Sequence, residues 1–179
     1  MEINMIKFMK KGEENGFTLI EILVSTFIFS IIVIVIGNAF SHTLRMQRRA
    51  LVTQDIQENL VFVTEMITRE ARVSNICPVS LSSCTQGDLY MKHKIYGDIH
   101  YYLSGNQIYR DILNDSEPPS ILTSSDIQID RLNFYRIGVD YDDNLQPRVT
   151  IVLRAKGGSI AEKVEINTQI TASQRYISD

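Results

Sequence analysis

The apolar residues of this chain are gathered into one uninterrupted stretch near its N-terminus. Phe17 to Phe40 reads FTLIEILVSTFIFSIIVIVIGNAF, and Glu21 is the only ionisable residue in it. As a helix rising about 1.5 Å per residue, the stretch reaches roughly 36 Å, enough to cross a hydrocarbon layer about 30 Å thick. The pattern therefore predicts a membrane-spanning helix over 17–40. From Ser41 to Ile76 there is neither Gly nor Pro, and Leu44, Val52, Ile56, Leu60, Val63 and Ile67 recur mostly every three or four residues. That period predicts an amphipathic continuation of the helix over 41–76. Phe62, Met66 and Val73 broaden the stripe, as expected if the second part lies on a sheet, and Glu65 and Arg69 are spaced to pair at i,i+4. Gly37 is the weak point, costing about 1 kcal/mol relative to Ala. It reads as a hinge or as a site of close packing.

Cys77-Pro78 is expected to end the helix, because Pro lacks an N–H and disfavours helical geometry in the residue before it. Beyond it the period changes to two. Ile99, Tyr101 and Leu103 alternate with other residues, Ser104-Gly105-Asn106 supplies a turn, and Ile108 to Leu113 returns as a hairpin. Asn114 to Ser120, with Pro118-Pro119, reads as a loop. Ile127–Ile137 and Val149–Ala155 follow as strands, and Val164–Ile170 alternates with Glu165, Asn167 and Gln169. The expected class is α+β: a long helix packed on one face of an antiparallel sheet in a β-rich head over 77–179. No internal repeat is visible.

Composition adds four points. At 179 residues the chain has room for one domain with one core. A net charge of −3 and a pI near 5.6 give no overall reason to bind nucleic acid, and none is expected as a partner. Residues 1–16 mix Lys7, Lys10 and Lys11 with Glu2, Glu13 and Glu14 and end in the turn-prone Glu14-Asn15-Gly16, a leader rather than a fold. Cys77 and Cys84 have no further ligands at zinc spacing, so they form a small-loop disulfide, which a location outside the cytoplasm permits, or remain two free thiols.

Gly16-Phe17-Thr18-Leu19-Ile20-Glu21, behind a basic leader and ahead of an apolar run, resembles the processing site of type IV prepilins and pseudopilins. The resemblance covers the leader and the first helix residue by residue, and the remainder as architecture. It implies cleavage between Gly16 and Phe17 by prepilin peptidase and N-methylation of the new Phe17 amino group. It also implies pairing of Glu21 with the Phe17 amino group of a neighbouring subunit, and assembly on an inner-membrane platform with other pilin or pseudopilin subunits. The N-terminus would lie inside and the head outside the cytoplasm. The long head, the hairpin Ile99–Leu113 and a last strand ending near Arg175 look like J-type pseudopilins and W-type minor pilins, so a minor subunit is expected. The family's C-terminal disulfide-bounded loop has no counterpart, since Cys77 and Cys84 precede the expected sheet. A carboxylate inside a span costs about 2.5 to 3.5 kcal/mol at the bilayer centre and less near an edge, which gives Glu21 a physical reason to take a partner.

Competing readings are a membrane-anchored binding protein that never assembles, and an exported domain released by ordinary cleavage after Ala39. An apolar core longer than the usual 7 to 15 residues or so, with a carboxylate inside it, argues against the second. Arg45, Arg48 and Arg49 follow the span and nearly balance the leader lysines, so charge alone does not orient it. They read as contacts to lipid head groups or neighbouring acids, or as a solvated helix face. His42, His93 and His100 belong to no nucleophile or metal motif, and neither catalysis nor a cofactor is expected. Asp140, Asp142, Asp143 and Asn144 read as a solvated turn, with an oxygen-rich cation site as the alternative. Lys92-His93-Lys94 reads as solvated surface.

Overall fold

A computed structural model describes residues 16–77, 84–139, 145–159 and 163–175. The leader residues 1–15, Pro78 and the acidic group at 140–144 lie outside these. Among the described residues one helix, α1 (Leu19–Val73), is followed by eight strands: β1 (Ser74–Ile76), β2 (Asp88–His93), β3 (Gly97–Ser104), β4 (Gln107–Ile112), β5 (Ser120–Ile121), β6 (Ile127–Ile137), β7 (Arg148–Gly157) and β8 (Val164–Ser173). Every strand pairing is antiparallel. The fold is α+β, as the change of period from helical to alternating requires. The chain divides into two units, residues 1–44 and 45–179.

In the first unit, every described side chain is exposed, including the apolar run from Phe17 to Phe40. The helix is long and apolar enough to cross a membrane. Two of its hydroxyls bond within the helix: Thr26 Oγ1 donates to the Ile22 carbonyl (2.8 Å) and Ser30 Oγ to the Thr26 carbonyl (2.8 Å). Such i−4 bonds let Ser and Thr sit in an apolar helix without an unpaired polar group. The helix runs unbroken through Gly37, where a Cβ would meet nothing within 4 Å.

In the second unit the strands form two sheets, β1-β2-β3-β4-β5 and β6-β7-β8, where the sequence suggested one. They share one core with the second part of α1, whose buried Ile56, Leu60, Val63, Ile67 and Ala71 recur every three or four residues. Leu89, Met91, Ile99, Tyr101 and Ile108 enter it from the first sheet, and Phe134, Ile151 and Leu153 from the second. Two backbone bonds tie the sheets together: Ile129 N–H to the Asn106 carbonyl (2.9 Å) and Phe134 N–H to the Gln86 carbonyl (2.8 Å). Close approach of α1 to the second sheet needs a glycine, since a Cβ at Gly157 would come within 3.1 Å of Ile56 Cδ1.

The expected hairpin is present as β3 and β4. Its two-residue loop, Gly105-Asn106, has φ of +55° and +67°, the signs of a type I′ turn whose twist suits a hairpin. Strand β6 shows a register shift between Ile129 and Arg131. The buried positions accordingly change from Ile127 and Ile129 to Leu132 and Phe134, the change of parity that a one-residue bulge imposes.

Three expectations are corrected. The helix ends at Val73, not at Ile76, because Ser74–Ile76 pairs with Met91–His93 and the Arg175 N–H takes the Arg72 carbonyl (2.9 Å). Tertiary pairing ends the helix before Cys77-Pro78 is reached. Phe62 and Val73 are exposed rather than laid on a sheet, and Glu65 and Arg69 form no ion pair. The loop from Cys77 to Cys84 lies between β1 and β2, not ahead of the sheet.

Candidate functional site

Gly16, Phe17 and Thr18 are non-helical and exposed ahead of the first helical residue, Leu19. A chain in this state can enter the cleft of a peptidase, whereas a peptide bond within a helix cannot without local unfolding. Thr18 and Glu21 close the helix N-terminus reciprocally. The Glu21 N–H donates to Thr18 Oγ1 (3.3 Å), and the Thr18 N–H donates to Glu21 Oε2 (3.0 Å). This is a capping box, Thr-x-x-Glu, which satisfies two of the donors that any helix leaves unpaired at its start. The Thr18 hydroxyl also lies 2.9 Å from Glu21 Oε2. Both bonds to the carboxylate use Oε2, and Oε1 has no hydrogen bond among the described residues.

Gly16, Phe17 and Glu21 lie within six consecutive residues at the start of α1, and the structure adds Thr18, which sequence reasoning missed. The signal was present. Thr three residues before Glu, ahead of an apolar run, is the sequence pattern of a capping box. A carboxylate already held by the helix start also sits where the partial positive charge of the helix dipole favours it.

The remaining sequence candidates are scattered through the head. Cys77 and Cys84 are joined by a disulfide. Arg136 on β6 clamps that loop, donating to the Cys84 carbonyl (2.8 Å), the Asp88 carbonyl (3.3 Å) and Cys77 Sγ (3.4 Å). Burial lowers the Arg136 guanidinium below its usual range, with the charge of Asp88 working the other way. His42 is exposed on α1. His93 is buried, and its Nδ1 accepts the Ile95 and Tyr96 N–H groups (3.1 and 3.2 Å), which shapes the β2–β3 turn. His100 lies between the rings of Tyr90 and Tyr102, with Nε2 3.0 Å from Asp88. None of the three faces a nucleophile. Among the described residues no group of three or more His, Cys, Asp or Glu could hold a metal ion.

One polar cluster the sequence did not suggest fastens α1 to the first sheet. Arg110 on β4 reaches Glu70 through two nitrogens (Nη2 2.8 Å and Nε 3.1 Å), and Tyr101 on β3 donates its hydroxyl to the same carboxylate (2.5 Å). Burial opposes the Arg110 charge, and the Glu70 contacts outweigh it, so the guanidinium is held above its usual range. Burial and the Glu70 charge together push the Tyr101 phenol well above its usual value, which keeps it a donor. This cluster attaches α1 to the first sheet, and Glu70 and Arg110 also border a shallow cavity of about 310 Å³.

No curated protein and no solved structure matches the chain. Residues 13–37 match the family model described as the prokaryotic N-terminal methylation motif, which spans the exposed Gly16-Phe17, the capping box and the first part of the apolar helix, and so supports a type IV pilin-like family.

Proposed function

We propose that the chain is a minor pilin or pseudopilin subunit of a type IV pilus, type II secretion or competence filament. In this reading residues 1–16 are a cytoplasmic leader removed by prepilin peptidase, and Phe17 becomes the methylated N-terminus. Residues 17–40 hold the subunit in the inner membrane and later pack against other subunits. The helix beyond them carries the head, which lies outside the cytoplasm. The observation that carries the reading is the exposed Gly16-Phe17 immediately ahead of a helix whose first turn is closed by Thr18 and Glu21, inside the matched residues 13–37. Cutting there leaves the apolar helix on the mature protein, where ordinary signal cleavage would remove it.

Glu21 then has two tasks on separate oxygens. Oε2 closes the subunit's own helix, and Oε1 is available to the Phe17 amino group of a neighbouring subunit. Glu21→Gln keeps the cap, because the amide oxygen accepts the Thr18 N–H, and loses the charge. Glu21→Ala loses both. Removing one member of a pair buried among packed helices costs about 3 to 5 kcal/mol, more than a hundredfold in population. Glu21→Gln is therefore expected to be cleaved and to reside in the membrane normally, with incorporation into cross-linked filaments or tip complexes lowered by more than tenfold. Equal incorporation of wild type and Glu21→Gln would remove the assembly role.

A further inference from the structure

The C-terminal turn of α1 carries a concentration of positive charge that neither the cap nor the head's attachment uses. Arg69, Arg72 and Arg175 line one cavity of about 430 Å³. Arg69 and Arg72 are one turn apart on the helix. Arg175 is delivered from the end of β8 by the bond of its N–H to the Arg72 carbonyl (2.9 Å). None of the three has an ion pair among the described residues. In a chain of net charge −3, three guanidiniums in one cavity, without an ion pair among the described residues, are a local feature, not a compositional one.

A second observation lies in the wall of the same space. Thr68 also lines the cavity and is 8% exposed, and its Oγ1 is buried with no hydrogen-bond partner. Thr64, one turn earlier, gives its hydroxyl to the Leu60 carbonyl (2.7 Å), so the helix offers a way to satisfy such a group that Thr68 does not take. A buried hydroxyl left unpaired costs about 1 to 3 kcal/mol, and a turn of the Thr68 side chain into the cavity lets a bound acceptor recover that cost. The opposing charges are Glu65, on the cavity wall, and the helix C-terminus, equivalent to about half a negative charge. The cavity retains an excess of about one and a half positive charges.

We infer that this cavity is a binding site for a phosphate group carried by an organic ligand. Two guanidinium groups from α1 and a third from the end of β8 suit a tetrahedral dianion, which accepts in all directions, better than a planar carboxylate, which accepts in one plane. The cavity volume falls in the range of small-molecule sites, about 300 to 1,000 Å³, and exceeds what a phosphate fills. The part of the ligand that bears the phosphate rests on Val73 and Ile170, the apolar side of the wall. A neighbouring cavity of about 570 Å³, also bordered by Val73, adds Lys92 and Lys94, although Asp98 stands opposite Lys92 in the β2–β3 register. The arginine cavity therefore has the larger unanswered charge. The phosphate can belong to a soluble ester or to a lipid head group.

The test uses the full chain in nanodiscs of phosphatidylcholine, titrated with inorganic phosphate while the thermal unfolding midpoint of the head is followed. Chloride at equal ionic strength is the reference. Phosphate is expected to raise the midpoint along a saturating curve, and Arg72→Gln and Arg175→Gln are each expected to weaken the apparent affinity at least tenfold. Both side chains are exposed, so their midpoints without phosphate should match wild type. Thr68→Val should weaken phosphate binding severalfold while leaving the chloride curve unchanged. Short-chain phosphatidic acid competing more tightly than glycerol 3-phosphate would assign the ligand to a lipid, and the reverse order to a soluble ester. A shift equal to that of chloride, or one unaltered in Arg72→Gln and Arg175→Gln, would overturn the site.

Discussion

The two parts of α1 have the same backbone and opposite commitments. Residues 19–44 expose Ile, Val, Leu and Phe on every side, with the Thr26, Ser30 and Thr43 hydroxyls bonded to the helix itself. Residues 45–73 bury a narrow stripe, Ile56, Leu60, Val63, Ile67 and Ala71, and spend a carboxylate, Glu70, on the first sheet. A helix apolar all round is stable only where something other than water covers it, whereas a striped helix is covered by its own chain. The contrast fits the proposed division, membrane and assembly for the first part and folding of the head for the second.

The comparison breaks first if the second part needs the first. A fragment of residues 45–179 is expected to be soluble and to unfold cooperatively in urea, since every buried helix residue lies within it. A gradual, non-cooperative loss of circular dichroism would refute the division. The next largest effect belongs to the attachment. Glu70→Ala leaves the half-buried Arg110 without its partner and the buried Tyr101 hydroxyl without an acceptor, and should lower head stability by about 3 kcal/mol in urea titrations. Membrane residence should not change. Gly157→Ala should cost about 1 to 2 kcal/mol, because its methyl group meets Ile56 side-chain carbons at 3.1 and 3.2 Å, and Ile56→Val should recover part of that loss.

A smaller effect sharpens the picture of the head. Burial raises the Asp88 carboxyl, but the hydrogen bonds from Thr85 and His100, with the charge of Arg136, outweigh it and hold the group below its usual range. A carboxylate depressed in the folded state contributes stability that is present above its unfolded pKa, about 3.9, and is lost as pH falls through the folded value. Urea midpoints measured from pH 6 to pH 2 should therefore fall less steeply at the acid end for Asp88→Asn than for wild type. Parallel curves would mean that Asp88 contributes nothing to the acid limb.

What could be read from the sequence was local. The span from Phe17 to Phe40, the helical stripe around Ile56 to Ile67, and the β3–β4 turn at Gly105-Asn106 each lie within a window where period or turn chemistry decides the outcome. Strands β1 and β5 were missed because they are three and two residues long and exist through their partners. The same pairing explains why the helix stops at Val73 before the proline signal. The bulge in β6 was visible as a change of parity between Ile129 and Leu132, and was passed over. Glu70 and Arg110 are 40 positions apart, and no local pattern joins them. At the N-terminus the cleavage resemblance drew attention to Glu21 as a charge and away from Thr18, although the two residues together form a recognisable helix start.

The central claim concerns the first residue of the mature chain. Intact mass spectrometry of the protein extracted from membranes, followed by fragmentation of its N-terminal peptide, tests it most directly. The expected chain begins at Phe17 with one added methyl group on its amino nitrogen and retains the apolar helix. A chain beginning at Met1, or one that has lost everything through Ala39, would contradict the account.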